Sequence, residues 1–253
     1  MITQELFSIV VLAWIGIAIL LFPILLMITA PYGRHSTTHW GPMINNNLGW
    51  FIMESPALFV LLFFVLKDGD FKNLIVCTAS FLWVAHYFHR VMIFPLRIKT
   101  REKKMPVMIV VFALFFNLIN GFINGYWLIY MAPEFTFTWP ANLRLILGLV
   151  IFITGFVINQ YHDQLLISLR KTSKNGYKIP YGGLFKYVSC PNFFGEIIEW
   201  CGFVLLVWSL PSLAFLIWTI VNLVPRALDH HKWYRSHFNN YPEERKAVFP
   251  FLM

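Results

Sequence analysis

The sequence predicts an all-α integral membrane protein with seven transmembrane helices in a single domain, 1–253, its N-terminus outside and its C-terminus in the cytosol. The chain is 58% hydrophobic and only 13% charged, whereas soluble domains carry about 25% charged residues. Seven apolar runs are separated by short polar segments, and most of the lysines and arginines lie in those segments. A net charge of +8 distributed in this way is typical of membrane topology, so we expect no nucleic-acid partner.

The seven apolar runs predict the helices in order. A helix that crosses a bilayer needs about 20 apolar residues. The first five runs meet this length, whereas the last two are short and are separated by Pro211, which is compatible with tilted or broken helices that line a cavity. The predicted spans are 6–30, 48–66, 72–95, 106–131, 142–166, 193–210 and 212–228.

The distribution of basic residues predicts the orientation. Most lysines and arginines lie in the loops 31–47, 96–105 and 167–191 and in the C-terminal tail, whereas the alternate loops carry few. Because basic loops stay in the cytosol, all of these segments are expected there, where an anionic cofactor would also bind. We expect a monomer surrounded by membrane lipid, in the endoplasmic reticulum of a eukaryote or the cytoplasmic membrane of a bacterium.

The sequence does not indicate a disulfide framework or a metal site. Cys77, Cys190 and Cys201 form no CxxC pair. Asp229 and His230 could suggest a metal, but the adjacent histidines 230 and 231 do not share a helix face and no third ligand has a suitable spacing. We therefore expect no bound metal.

Three polar residues interrupt the sixth apolar run. Asn192, Glu196 and Glu199 are spaced i, i+4 and i+7, so on a helix they share one face. A charged side chain near the bilayer centre costs on the order of 3 kcal/mol or more, so such residues usually face a polar cavity. This stripe favours a membrane enzyme over an inert anchor.

A second intramembrane carboxyl is Glu54, within the second apolar run. It precedes Ser55 and Pro56, so it could simply accompany a helix kink, but intramembrane carboxyls are more often functional. We expect an unpaired Glu54 that stays protonated and donates a hydrogen bond. Tyr87, in the 86–90 segment His-Tyr-Phe-His-Arg, could grip the same carbonyl oxygen, although that segment could equally be an interfacial aromatic belt.

Polar clusters also lie at the cytosolic ends of the fifth and seventh spans. Asn159 and Asp163 share a helix face, and Arg226, Asp229, His230, His231 and Tyr234 lie at the end of the seventh span. These clusters could be snorkelling helix ends or parts of a ligand site. No glycine-rich Rossmann or P-loop motif occurs, so a nucleotide would be held by polar side chains inside the bundle and by loop cations.

Several segments together resemble the steroid 5α-reductase family, its type 2 enzymes in particular. The resemblance runs in order through the whole chain, and it is the combination of motifs that makes it specific. The matching segments are Trp50–Pro56, His86–Arg90, Tyr126–Tyr130, Ile179–Phe185, Asn192–Trp200, Trp208–Pro211 and the tail from Tyr241 to Phe251.

The resemblance implies a seven-helix fold that buries NADPH and reduces the 4,5 double bond of 3-oxo-Δ4 steroids. Glu54 and Tyr87 would then hold the C3 ketone, and Trp50 and Met53 would contact the steroid. Glu199 would join Glu196 in fixing the cofactor's amide or ribose groups. The NADPH site implied by the resemblance comprises Lys103, Asn159, Asp163, Arg170, Tyr177, Asn192, Glu196, Arg226, His230 and Tyr234.

Two departures leave the substrate class open. Met53 stands where the steroid enzymes have a glutamine before the glutamate. The segment Ser189-Cys190-Pro191-Asn192 resembles trans-2-enoyl-thioester reductases. A reductase of another enone or of a trans-2-enoyl lipid is therefore an alternative.

Two further alternatives come from other functional classes. The Pro-Asn-x-x-Gly-Glu element from Pro191 to Glu196 also resembles S-adenosylmethionine-dependent membrane methyltransferases of the isoprenylcysteine type. Methyl transfer needs no carbonyl grip, so Glu54 and Tyr87 argue against that activity. A transporter or receptor is the other alternative, but the chain lacks the internal repeats that are typical of transporters.

Overall fold

The structure is a computed structural model that describes residues 2–31, 33–98, 103–134, 136–172 and 177–252. Within these ranges seven long helices form the bundle, and two short strands pair antiparallel beside it. The helices are α1 Gln4–Met27, α2 Asn46–Asp68, α3 Leu74–Phe88, α4 Val107–Tyr130, α5 Trp139–Thr172, α6 Pro191–Val207 and α7 Leu210–His237, and the strands are β1 Met43–Asn45 and β2 Lys104–Pro106.

An all-α protein with several membrane-spanning helices is confirmed. Six of the described helices are long and apolar enough to cross a membrane, counting α3 together with its continuation to Arg97. The remaining helix, α6, has 17 residues and ends at Val207, immediately before Trp208, which adopts a left-handed conformation with φ 53°. Helix α7 then starts at Leu210, with Pro211 in its first turn, and extends to His237, nine residues beyond the predicted end at 228. Seven spans and their orientation stay predictions.

The third span contains a π-helical segment. After Phe88 the backbone winds as a π-helix over His89–Ile93 before a last helical turn, Phe94–Arg97. A π segment changes the direction of the following side chains, and such segments are frequent at functional sites. Here it lies immediately after Tyr87 and includes Arg90, and both side chains line the central cavity described below.

Glycines allow α5 and α6 to pack backbone against backbone as an antiparallel pair. A Cβ atom on Gly155 would overlap the backbone nitrogen of Glu199, and one on Gly202 would overlap that of Phe152. Small residues permit such close approach between membrane helices, where van der Waals packing replaces the hydrophobic effect. The seam fixes the depth and rotation of the polar residues that the two helices carry.

We expect Gly155→Ala to destabilise the protein by about 1 to 3 kcal/mol, because overpacking of this size forces α5 and α6 apart. The thermal unfolding midpoint in detergent measures the effect. Gly16→Ala in α1 is the matched control, because a Cβ there meets no atom within 4 Å. Equal midpoints for the two variants would contradict the assigned role of the seam.

Helix α1 is attached to the bundle through tryptophans. The Trp14 and Trp218 rings lie 4.6 Å apart, and Trp218 Nε1 donates to the Trp14 carbonyl oxygen at 3.1 Å. Trp14 Nε1 donates to Asn120 Oδ1 of α4 at 3.4 Å. These contacts join α1 to α7 and α4 at the level of Trp14, which also lines the central cavity.

Candidate functional site

A cavity of about 750 Å³ occupies the centre of the bundle, with side chains from all seven helices in its walls. It contains every site residue predicted from the sequence except Asn159 and Glu199. Those residues are Trp50, Met53, Glu54, Tyr87, Lys103, Asp163, Arg170, Tyr177, Asn192, Glu196, Arg226, His230 and Tyr234. Residues that are far apart in the sequence therefore share one chamber.

One wall of the cavity opens sideways between α1 and α4. Ile17 and Ile24 of α1 and Phe112 and Phe115 of α4 line the cavity and are also 45 to 61% exposed on the outer surface. Because these exposed side chains are apolar and lie on membrane helices, this opening faces lipid. A hydrophobic ligand can therefore reach the cavity from within the bilayer.

Glu54 is not unpaired, contrary to the expectation from the sequence. Arg90 Nη2 donates to Glu54 Oε1 at 3.4 Å, and Arg90 Nη1 lies 4.0 Å from Asp163 Oδ2. The Arg90 guanidinium also stacks at 4.8 Å over the ring of Trp50. With the guanidinium on one of its carboxylate oxygens, Glu54 is better suited to fix Arg90 than to donate a hydrogen bond to a ligand.

Tyr87 forms the adjacent part of the wall. Its side chain is 3% exposed, lines the cavity and packs on Trp83 with 5.1 Å between ring centroids. Met53 lies in the same region, and its backbone oxygen accepts from Asn117 Nδ2 at 2.6 Å. The phenol is therefore held rigidly in an environment where a hydrogen bond to a ligand oxygen is strong.

The seam between α5 and α6 carries a hydrogen-bonded set of amides and carboxyls. Asn192 Nδ2 donates to Asp163 Oδ1 at 2.9 Å. Asn159 Nδ2 donates to the Asn192 carbonyl oxygen at 3.0 Å and to Glu196 Oε2 at 3.3 Å. Asn159 is 1% exposed and lies behind the cavity wall. It therefore positions Asn192 and Glu196, and it does not itself reach the cavity.

The other end of the cavity is basic. Arg34, Lys103, Arg170 and Arg226 line it, and Lys103 Nζ donates to the Tyr177 hydroxyl at 3.1 Å. This arrangement suits a ligand with negatively charged groups. The rest of the basic loop, residues 99–102, lies outside the described residues.

Arg34 is a site residue that the sequence prediction missed. Its Nη2 donates to the Tyr234 hydroxyl at 3.1 Å, and its guanidinium stacks at 4.5 Å over the Trp233 ring. Its Nη1 is buried and bonds to no atom of the described residues. A half-buried guanidinium whose buried Nη1 has donors to spare fits an anionic group in the cavity.

His35 and His230 complete the basic end. Their rings stack with centroids 5.2 Å apart, and His35 Nε2 lies 3.2 Å from His230 Nδ1. Burial, reinforced by the neighbouring Arg34 charge, lowers the pKa of His35 below its usual value. His35 is therefore neutral at pH 7. One ring can then donate a hydrogen bond to the other, because the two rings do not both carry a positive charge.

Glu199 does not line the cavity, contrary to the role that the resemblance implied. It is completely buried, and its Oε1 lies 2.7 Å from Nδ1 of His86. Glu199 shares a helix face with Asn192 and Glu196, but it lies further along α6, where α3 covers it. His86, in contrast, lines the cavity.

The thiol beside the start of α6 is chemically inert. Burial raises the pKa of Cys190 to about 12, so the reactive thiolate is absent at neutral pH. The neighbouring Ser189 hydroxyl lies 2.6 Å from both His231 Nδ1 and the Tyr241 hydroxyl. The contact with Tyr241 ties the C-terminal tail to the start of α6.

Comparison with known proteins gives consistent matches. A family model described as 3-oxo-5-alpha-steroid 4-dehydrogenase matches residues 103–253. Steroid 5-alpha-reductase DET2 of Arabidopsis thaliana is 40% identical over 242 residues, which cover 90% of each chain. The 3-oxo-5-alpha-steroid 4-dehydrogenase 1 of Rattus norvegicus is 35% identical over 231 residues, 88% of this chain and 86% of the relative. The 3-oxo-5-alpha-steroid 4-dehydrogenase 2 of Sus scrofa is 40% identical over 226 residues, 87% of each chain.

Proposed function

Because this chain belongs to the 3-oxo-5-alpha-steroid 4-dehydrogenase family, we propose that it reduces the 4,5 double bond of a 3-oxo-Δ4 steroid to the 5α-dihydro steroid, with NADPH as the reductant. It is an oxidoreductase that acts on CH–CH groups. The observation that carries the proposal is a single cavity with a lipid-facing apolar opening, a buried phenol and a basic far end.

The ketone is held by Tyr87 and the Glu54–Arg90 pair. An enone becomes electrophilic at C5 when hydrogen bonds polarise its C3 oxygen. The Tyr87 hydroxyl donates one such bond, and Arg90 supplies N–H donors at the same wall. Glu54 orients the Arg90 guanidinium, because its Oε1 accepts from Arg90 Nη2 at 3.4 Å. Donors placed in advance where negative charge develops stabilise the enolate in the transition state.

The basic end and the seam between α5 and α6 suit NADPH. When bound, NADPH supplies the hydride for C5. Arg34, Lys103, Arg170 and Arg226 provide cations for its phosphates, and the spare Nη1 of Arg34 is the most direct support for that fit. Asp163, Asn192 and Glu196 provide hydrogen bonds for its ribose and amide groups. Tyr177, Tyr234 and His230 lie at the basic end, where they contact Lys103, Arg34 and His35 respectively. The surrounding helices exclude water and orient the two ligands.

We expect Arg34→Ala to raise the Kd for NADPH by roughly 10- to 100-fold, because a hydrogen bond to a charged group contributes about 1.5 to 3 kcal/mol. Equilibrium fluorescence titration of the purified protein measures the affinity. Arg144→Ala is the matched control, because Arg144 stacks on Trp208 outside the cavity. Equal affinities for Arg34→Ala and the unmodified protein would remove Arg34 from the site.

We also propose that α6 completes a seven-helix membrane domain with the N-terminus outside and the C-terminus in the cytosol. The basic loops support this orientation, because they lie at the same end of the bundle as the basic end of the cavity. The positive charge at that end would attract the anionic NADPH, which is dissolved in the cytosol.

A product assay tests the reaction. The detergent-purified protein is incubated with NADPH and testosterone, and products are identified by mass and stereochemistry at C5. A 5α-dihydro product is the expected result. No product with NADPH still bound would redirect the assignment to trans-2-enoyl lipids. No product and no NADPH binding would remove the reductase assignment.

A further inference from the structure

A buried histidine–glutamate pair lies against the proposed ketone site. His86 Nδ1 is 2.7 Å from Glu199 Oε1, and Glu199 is completely buried. The His86 ring contacts Tyr87 and Trp200 with centroids 5.0 and 4.8 Å apart. Glu199 Oε2 is buried without a hydrogen-bond partner among the described residues. Burying two ionisable groups carries a desolvation penalty in free energy that packing alone does not require, which indicates a chemical role for the pair.

The geometry favours a pair that holds one transferable proton. Among the described residues Glu199 has one hydrogen-bond partner, His86. A carboxylate without its proton is therefore poorly compensated in this position, whereas the pair with its proton is neutral overall. Since Nδ1 of His86 is occupied by Glu199, Nε2 is the nitrogen left for the cavity that His86 lines. Glu199 therefore fixes both the orientation and the tautomer of the His86 ring, as a general acid requires.

Building on the proposed function, we propose that His86 donates the proton to C4 of the steroid and that Glu199 is its positioning residue. After hydride addition at C5, the electron pair of the former C4–C5 π bond resides in an enolate across C3, C4 and O3. The C4–H bond forms as the His86 Nε2–H bond breaks, and the C3 carbonyl is restored. The proton shared with Glu199 stays on Nδ1, so the negative charge moves to Glu199 until solvent returns a proton.

Tyr87 and His86 then have separate tasks on neighbouring atoms. Tyr87 stabilises O3 and His86 protonates C4, and the 5.0 Å separation of their rings suits the short distance between these two substrate atoms. The other charged groups that line this part of the cavity, Glu54 and Arg90, are paired with one another. Glu196 accepts a hydrogen bond from Asn159. The proposed reaction gives His86 no other task, which leaves it as the proton donor for C4.

Deuterium exchange tests this proposal without turnover. By microscopic reversibility the same pair removes a C4 proton from the saturated 3-ketone, so the unmodified protein in D₂O, without NADPH, should place deuterium at C4 of 5α-dihydrotestosterone in preference to C2. Mass spectrometry and NMR locate the label. His86→Gln and Glu199→Gln should each slow C4 exchange by roughly 100-fold, the scale of general acid–base catalysis.

Two further measurements separate chemistry from packing. Each glutamine variant should keep the unmodified Kd for the ketone while its kcat falls and its solvent isotope effect on kcat rises. If one variant does not fold, the other still decides the question. Ser80→Ala is the control on the same helix, because Ser80 is buried outside the cavity; it should exchange at the unmodified rate.

Three results would overturn the proposal, and they can be told apart. Unchanged C4 exchange in a folded His86→Gln variant would show that His86 is not the acid. An unmodified protein that reduces testosterone but exchanges no C4 proton would place the donor elsewhere. A protein that neither binds nor reduces the steroid would remove the proposed function together with this inference.

Discussion

Replacing Tyr87 with phenylalanine is expected to lower kcat by about 100- to 1000-fold while NADPH and the steroid still bind. The ring and its packing on Trp83 remain, so only the hydroxyl that we propose stabilises the developing oxyanion is lost, and one such donor is worth this factor. Steady-state kinetics with testosterone, together with NADPH titration, measures the separation of kcat from binding.

The control for this variant is Tyr161→Phe, which removes a hydroxyl from a tyrosine that is 52% exposed and does not line the cavity. It should leave kcat unchanged. Normal turnover in Tyr87→Phe would refute the proposed hydrogen bond to the ketone.

Glu54→Ala should also lose turnover with NADPH binding intact, because Arg90 then loses the carboxylate that fixes it.

Replacing Arg90 with methionine is expected to have the second largest effect, a loss of about 3 to 5 kcal/mol of stability. This is the usual penalty for removing one partner of a buried ion pair. Arg90 and Glu54 have side chains only 12 and 14% exposed, and the same guanidinium approaches Asp163 at 4.0 Å. The thermal unfolding midpoint in detergent, with and without NADPH, measures the loss.

A double variant gives the sharper test of this ion pair. Arg90→Met with Glu54→Gln should recover part of the lost stability, because it also removes one of the uncompensated carboxylates, yet it should remain inactive. Lys67→Met, at an exposed helix end, should change neither stability nor activity. If the double variant is no more stable than Arg90→Met alone, the charge pairing is not what stabilises this wall.

The helices and most of the site residues could be predicted from local sequence. Apolar runs of adequate length indicate membrane helices whatever their neighbours are, and intramembrane polar residues are confined to a cavity by their desolvation penalty. This is why Glu54, Asp163 and Glu196 were found. The seven-residue spacing of Gly148 and Gly155, and of Gly195 and Gly202, was also visible, although only the structure shows that they meet.

Pairings between distant helices could not be predicted in the same way. Periodicity states which face of a helix a residue occupies but not what lies opposite, so a protonated Glu54 was expected where Arg90 supplies a charge. The contact of Arg34 with Tyr234 spans 200 residues. Glu199 was assigned to the cavity from its face, and only the crossing of α3 over α6 turns it toward His86.

The opening between α1 and α4 determines which substrate concentration the enzyme responds to. Because Ile24 and Phe115 border the cavity at the lipid surface, the steroid arrives from the hydrocarbon phase, where apolar molecules accumulate. Saturation therefore follows the mole fraction of steroid in the bilayer and not its amount per litre of solution. At fixed total steroid, added lipid dilutes the substrate in two dimensions and lowers the rate, while the proposed reductant NADPH, dissolved in water, keeps its ordinary concentration dependence.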